Sequence, residues 1–249
     1  MSMPTTPLDD SPLESDPALD HPWALWAAFR GMRSWFFQRR LPPTLNHPRF
    51  AVRLLRMLTL MGILGMVSVM ATTGTIGLEE VLNKSGVNNP LHGMAFMILP
   101  GVWFGLCVLA PLSRWQGRNW WLTILAVPIS AGVYWCAVLS YVPFAPIFSS
   151  SSDRSWLVAG LAAGAVGGLG LSIWMNPLWR WRAAWVTGPT LLAAVCGSLG
   201  FGLFFNNNEP PTGVPEALHH LLFAAALFAP FHISVAMALG LRLVWSRSE

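Results

Sequence analysis

The sequence predicts an all-α, polytopic membrane protein with about six transmembrane helices and with both termini in the cytoplasm. Three observations predict this fold class: the composition, the spacing of the charged residues and the side on which the basic residues fall. Of the 249 residues, 54% are hydrophobic and 10% are charged, and the mean hydropathy is +0.51. A soluble domain carries about 25% charged residues, so this chain has too few charges to cover a water-exposed surface.

The charged residues leave apolar runs that are long enough to cross a bilayer. Asp, Glu, Lys and Arg are absent from 57–78, 91–113, 119–148, 155–179, 183–208 and 217–241. A transmembrane helix needs about 20 residues to cross roughly 30 Å of hydrocarbon, and a backbone in lipid must satisfy its own hydrogen bonds. A transmembrane β-barrel would instead alternate apolar and polar residues in shorter segments. These runs therefore predict helices.

The loops between the predicted spans differ in charge. The spans are placed at 54–75, 91–112, 120–142, 156–176, 184–205 and 218–243. All of the 15 basic residues except Lys84 and Arg154 lie before the first span or in its first turn, in the 113–119 and 177–183 loops, or at the C-terminal end. Cytoplasmic loops of membrane proteins are enriched in Lys and Arg. Both termini are therefore predicted in the cytoplasm, and an even number of spans agrees with this placement because it puts both ends on the same side.

The chain divides into three predicted regions. Residues 1–21 are rich in Pro, Ser and Asp and predict a disordered cytoplasmic tail. Residues 22–49 mix aromatic side chains with Arg, which is typical of an amphipathic segment lying in the headgroup plane. The alternative is that this segment packs on the protein's own helices. The six-helix transmembrane domain then occupies 50–246.

The fourth span is rich in small residues, which predicts close helix packing. Gly160, Gly164 and Gly168 follow the GxxxG spacing, and this spacing lets two helix backbones approach each other closely. The span is expected to be a central packing helix or the contact with another membrane subunit. The lipid bilayer is the other expected partner. Nucleic acid is not expected, because the basic residues flank the spans rather than forming a binding patch.

One ionisable side chain is predicted near the middle of a span. His232 lies in the sixth span, two residues after Pro230. Ionisable residues inside a membrane mark functional sites by default, and an imidazole can ligate haem iron, ligate another metal or relay protons. The alternative is a neutral histidine bonded to a carbonyl freed by Pro230 or supplied by a neighbouring helix. His232 is therefore the candidate cofactor-binding residue.

A candidate metal site lies at the outer ends of the second and sixth spans. His92 opens the second span, His219 and His220 open the sixth, and Glu216 precedes that pair by one turn. If the two spans pack together, these side chains supply the donors that a divalent metal requires. His92 with His219 or His220 would then also supply the two histidines at similar depth on facing helices that a bis-histidine haem requires. The spacing matches no strong metal motif, so the cofactor stays open between metal, haem and none.

Three classes of function remain open from the sequence. Packing glycines, short loops and the lack of charged or amide side chains in mid-span favour a non-catalytic membrane component, such as a complex subunit or assembly factor, over an enzyme. A facilitative transporter of a small or lipid-like molecule is the first alternative, with kinked helices shaping a cavity. A metal- or haem-binding redox or hydrolytic protein is the second. The acidic N-terminal tail fits a bacterial inner membrane. The kinks of the transporter alternative are expected at the prolines that interrupt four of the predicted spans: Pro100, Pro128, Pro189 and Pro230.

Overall fold

The computed structural model describes residues 49–85, 94–115, 120–141, 153–179, 183–206 and 216–245, and within these ranges the chain forms helices and no strand. The predicted tail, 1–21, and all but the last residue of the predicted interfacial segment, 22–49, lie outside the described residues. The helices are α1 (Phe50–Lys84), α2 (Met94–Phe104, π-helical Gly105–Leu109 and Ala110–Trp115), α3 (Trp120–Tyr141), α4 (Asp153–Trp179), α5 (Ala183–Asn206) and α6 (Glu216–Trp245).

Five of the described helices are long and apolar enough to cross a membrane. Their spanning parts are Phe50–Asn83, Phe96–Trp115, Trp120–Ser140, Leu157–Trp174 and Leu221–Val244. The predicted all-α, polytopic fold is confirmed, and the chain is a multi-pass membrane protein. In α5 the apolar part found within the described residues, Thr190–Gly200, is shorter. The sixth crossing and the cytoplasmic placement of both termini therefore stay predictions.

The first helix is longer than the span predicted for it. α1 has 35 residues, which corresponds to about 52 Å at 1.5 Å per residue. The sequence-based span stops before Glu79 and Glu80 because charged residues leave the hydrocarbon, but a helix continues wherever its backbone hydrogen bonds do. α1 therefore extends beyond the roughly 30 Å of a hydrocarbon core.

The six helices of the described ranges form a closed ring. Each helix packs against the next one along the chain, and α6 returns to pack against α1. The closure is tight because α1 has glycine where α6 approaches: a Cβ added to Gly65 would lie 2.9 Å from the Cα of Ile233. Gly240 of α6 in turn lies against the side chains of Met57 and Met61. The ring therefore encloses an interior between α2, α3, α4, α5 and α6.

The GxxxG residues of α4 pack against α5 of the same chain. A Cβ added to Gly164 would lie 2.5 Å from the carbonyl oxygen of Ala193, and one added to Gly197 of α5 would lie 3.0 Å from the carbonyl oxygen of Gly160. Such distances require two helix backbones in direct contact. This face of α4 therefore serves the first of its two expected roles, internal packing, and a subunit contact through α4 stays a prediction.

Candidate functional site

A cavity of about 260 Å³ lies inside the helix ring, and helices α2 to α6 all contribute to its lining. The lining is mostly apolar, and none of the described lining residues is charged. Ser130, Tyr134 and His232 supply the polar side-chain groups of this set. An intramembrane cavity of this composition excludes ions and suits a small apolar molecule with few hydrogen-bonding groups.

The cavity exists because small residues face large ones across the ring. Gly164, Gly167 and Gly197 line it from α4 and α5: Gly164 and Gly197 lie where the two backbones touch, and Gly167 has no side chain between its backbone and the Phe231 ring of α6. α2 and α6 contribute aromatic rings from the other side, and the rings of Phe96 and Phe228 are 5.6 Å apart. The rings keep the two helices apart while the glycines add no side chain to fill the centre.

His232 is buried at the wall of this cavity, with 1% of its surface exposed. Its Nδ1 lies 3.0 Å from the Oγ of Ser68 on α1. The rings of Phe104, Phe228 and Phe231 surround it, with centroids at 5.0, 6.0 and 6.0 Å from the imidazole. The partner is thus a hydroxyl on a neighbouring helix rather than a carbonyl, because Ser68 is the group that α1 presents at this depth.

The second ring nitrogen of His232 has no hydrogen-bond partner among the described residues. Nε2 is buried and makes no hydrogen bond to any described residue. A buried polar group left unpaired costs about 1–3 kcal/mol, and contact with an aromatic face recovers a small part of that. Unpaired buried groups in native structures are therefore places to look for a bound molecule. Here the group belongs to a residue that lines a cavity.

A π-helical segment adjoins the cavity on α2. It covers Gly105–Leu109 and begins directly after Phe104, whose ring contacts the imidazole. Such segments are rare and occur frequently at functional sites, because the extra residue in the turn redirects the side chains around it. On the same helix, a Cβ added to Gly101 would lie 2.6 Å from the carbonyl oxygen of Ser130. α2 is therefore pressed against α3 where both line the cavity.

The predicted outer-face metal site is not described by the structure. His92 lies outside the described residues, and for Glu216, His219 and His220 the structure describes only the backbone, at the start of α6. Among the side chains that are described, no three His, Cys, Asp or Glu residues come together as a metal site. The site stays a prediction: replacing all four residues by Ala should abolish any bound metal, and unchanged metal content by elemental analysis would eliminate it.

The same geometry bears on haem at His232. Ligand pockets usually measure about 300–1,000 Å³, and this cavity of about 260 Å³ lies below that range. It suits a molecule of one or two rings better than a porphyrin. Ser68, Phe104 and Tyr134 are site residues that sequence reasoning missed, because nothing in the sequence distinguishes them from other Ser, Phe and Tyr residues within spans. The chain matches no protein-family model, no curated protein sequence and no solved structure.

Proposed function

We propose that this protein is a non-catalytic membrane protein that takes a small, largely apolar molecule into the cavity between its helices, as a facilitative transporter does. The observation that carries the proposal is an apolar intramembrane cavity beside a buried imidazole nitrogen that bonds to none of the residues described. The described lining contains no pair of charged side chains that could act as a catalytic acid and base. The chemistry of this lining is therefore that of binding rather than of proton transfer or hydrolysis.

Access from the bilayer supports a lipid-soluble ligand. Met97 of α2 lines the cavity, yet 38% of its surface is exposed. We therefore propose that the cavity opens at Met97 to the outer surface of the helix ring, where the side chains of a multi-pass protein meet lipid. The arginine-flanked spans support a cell membrane, specifically a bacterial inner membrane, as the proposed location.

A cavity-filling substitution tests the proposal. The atoms nearest to a Cβ added to Gly167 of α4 would be the end of the Phe231 ring at 3.2 Å and the Cβ of Ala137 at 3.6 Å, and these are side-chain atoms. Gly167→Met should therefore fill the cavity without a backbone clash and reduce the binding of small aromatic probes at least tenfold, measured as the probe-induced rise in Tm of the detergent-solubilised protein.

Gly132→Met is the matched control, because no described atom lies within 4 Å of a Cβ added to Gly132 on the exposed side of α3. It should bind the probes as the wild type does. Equal binding by wild type and Gly167→Met would reject the cavity as the binding site. Uptake of a bound probe into liposomes then separates a transporter from a protein that only binds.

The function favoured by the sequence, a subunit or assembly factor of a larger membrane complex, stays a second proposal. The lipid-facing side of α4 carries large apolar side chains such as Leu161, Leu169 and Ile173, which are exposed in the single chain. Purification from native membranes in a mild detergent tests it. A stoichiometric partner that survives size-exclusion chromatography supports this reading, and a chain that elutes alone does not.

A further inference from the structure

We infer that the molecule held in this cavity is an uncharged aromatic carbonyl compound, whose carbonyl oxygen accepts a hydrogen bond from the Nε2–H of His232. This inference rests on the proposed function and names its ligand class. Three features of the site carry it: the tautomer that Ser68 imposes on the imidazole, the absence of charge among the described lining residues, and the aromatic walls.

Ser68 determines which imidazole nitrogen of His232 carries the proton. Hydroxyls within helices commonly donate to a carbonyl of their own helix, as Thr73 does to Val69 at 3.0 Å and Ser140 does to Ala137 at 2.6 Å. Ser68 makes no such bond among the described atoms, and its hydroxyl is directed to Nδ1 of His232. The hydroxyl proton therefore has Nδ1 as its acceptor.

The two tautomers of His232 differ in how many hydrogen-bonding groups of the Ser68–His232 pair they leave unpaired. If Ser68 donates to Nδ1, both of those atoms are satisfied and the proton of the neutral imidazole is on Nε2. In the opposite tautomer Nδ1–H would donate to Ser68, and both the hydroxyl proton and the Nε2 lone pair would lack a partner. The first arrangement leaves one unpaired group instead of two, so His232 offers an N–H donor.

The ligand's polar group must be an uncharged hydrogen-bond acceptor. A donor N–H requires an acceptor, and no described lining residue carries a charge that would balance an anionic or cationic ligand. A charged molecule would therefore lose its hydration without compensation. A carbonyl oxygen is a neutral acceptor that carries no proton of its own to satisfy. It completes the hydrogen bonding of His232 without adding an unpaired donor. Because Nε2 is itself buried, the surrounding rings shift slightly when the oxygen binds.

The aromatic walls and the volume of the cavity determine the shape and size of the rest of the ligand. The imidazole lies among the rings of Phe104, Phe228 and Phe231, and aromatic rings favour offset or edge contacts with a further ring. An engineered cavity of about 150 Å³ holds benzene, so the cavity of about 260 Å³ holds one or two fused rings. Naphthoquinones have this size and carry carbonyls on the ring.

The experiment compares two probes of one shape on the full-length chain in detergent. A methylated naphthoquinone carries the carbonyls, and dimethylnaphthalene replaces them with methyl groups. The wild type should bind the quinone about tenfold more tightly than the hydrocarbon, by calorimetric titration. The double variant Ser68→Ala/His232→Leu removes both polar groups together and so leaves neither unpaired. It should lose most of the preference for the quinone, because only the hydroxyls of Ser130 and Tyr134 then remain as donors in the described lining. Ser140→Ala should keep the wild-type preference.

The outcomes separate this inference from the proposed function. Equal binding of the two probes by the wild type overturns the carbonyl inference and leaves the cavity as a binding site. Binding of neither probe, with Gly167→Met behaving as the wild type, overturns the proposed function itself. A prenylated naphthoquinone that binds more tightly than the tail-free one identifies a membrane quinone as the source, and equal affinity identifies a free ring compound.

A spectroscopic measurement keeps the inference testable if the double variant does not fold. The infrared carbonyl stretch of isotope-labelled naphthoquinone should move to lower frequency when it binds the wild type, because a hydrogen bond weakens the C=O bond. A bound quinone with an unshifted carbonyl band overturns the donor role of His232.

Discussion

At the scale of single residues, one side-chain pair joins distant parts of the chain inside the membrane. Ser68 and His232 are 164 positions apart in sequence, and their side chains lie 3.0 Å apart between α1 and α6. Both are buried. In hydrocarbon neither group has water as an alternative partner, so each depends on the other.

Removing the serine hydroxyl should destabilise the protein. In Ser68→Ala, Nδ1 of His232 loses its partner and becomes a second unpaired nitrogen beside Nε2. We expect the free energy of unfolding to fall by about 1–3 kcal/mol, the cost of leaving a buried polar group unsatisfied. Denaturation of the purified protein in mixed micelles, followed by circular dichroism, measures it.

Ser140→Ala is the control for this prediction. The Ser140 hydroxyl donates to the Ala137 carbonyl of its own helix, and that carbonyl retains the helix ladder when the hydroxyl is removed. A change within about 0.5 kcal/mol is expected. An equal loss in the two variants would show that the Ser68–His232 pair contributes nothing specific.

At the scale of the helices, close backbone approach and irregular geometry position the cavity walls. α4 and α5 meet through Gly164 and Gly197, and α2 changes from α- to π-helical geometry at Gly105–Leu109. Neither feature follows from hydrophobicity alone, because glycine in a membrane helix is ordinary unless a second backbone lies against it.

A single methyl group should separate α4 from α5. In Gly164→Ala the new Cβ would lie 2.5 Å from the Ala193 carbonyl oxygen and 2.7 Å from the Cα of Ala194, which are backbone atoms that cannot rotate away. We expect destabilisation of about 1–3 kcal/mol from overpacking. Gly132→Ala, with no described atom within 4 Å, should be neutral or stabilising by up to about 1 kcal/mol. Thermal unfolding of both variants decides, and a destabilising Gly132→Ala would contradict this.

The π-helical turn should tolerate the loss of one residue. Deleting Leu106, which is 40% exposed, converts this turn to regular α-helix and leaves the helix on either side in its orientation. Deleting Leu125, 46% exposed in the regular helix α3, rotates everything beyond it by about 100°. We expect monodisperse protein with a loss below about 2 kcal/mol for the first deletion and no folded protein for the second.

Size-exclusion chromatography in detergent distinguishes the two deletions. If both variants aggregated to the same extent, the extra residue of the π turn would be essential to the fold. The quinone titration described above then shows whether the regularised helix still places Phe104 at the cavity.

At the scale of the whole molecule, ring closure makes the first and last helices neighbours. α1 packs on α6 through Gly65 and Gly240, and Trp103 of α2 donates to Thr75 of α1 at 3.2 Å. The closed ring surrounds the cavity, and Met97 is a lining side chain that is also exposed. This arrangement allows a cavity to persist within a membrane protein of this size.

Cysteine labelling tests the predicted sidedness. The three native cysteines, Cys107, Cys136 and Cys196, are free and can be replaced by Ala. In that background, Ser85→Cys at the end of α1 should react with a membrane-impermeant maleimide on intact cells, and Arg49→Cys at its start should react only after permeabilisation. Both positions are exposed, and basic residues before the first span predict a cytoplasmic start.

A reporter at the C-terminus tests the number of crossings. Placed after Glu249, it should be cytoplasmic if α5 crosses the membrane like the other five helices, because an even number of crossings returns the chain to its starting side. An external reporter together with cytoplasmic labelling of position 49 would mean an odd number of crossings. The fifth helix would then be the one to reassign.

The sequence by itself determined the helical, polytopic fold and the approximate position of each described span. Apolar composition and charge spacing are properties of neighbouring residues, so windows such as 120–142 predicted the helix Trp120–Tyr141 closely. The same reasoning singled out His232 as an ionisable side chain in mid-span. It failed at the end of α1, because hydropathy marks the edge of lipid and not the end of a helix.

Only the tertiary structure decided the partner of His232, the surface that the α4 glycines contact and the existence of the cavity. Each depends on which residues meet across the ring: Ser68 with His232, Gly164 with Ala193. No local pattern encodes such pairs, since serine and glycine occur throughout the spans. A hydrogen bond or an empty volume is a property of several helices packed together, and it arises only once the ring has closed.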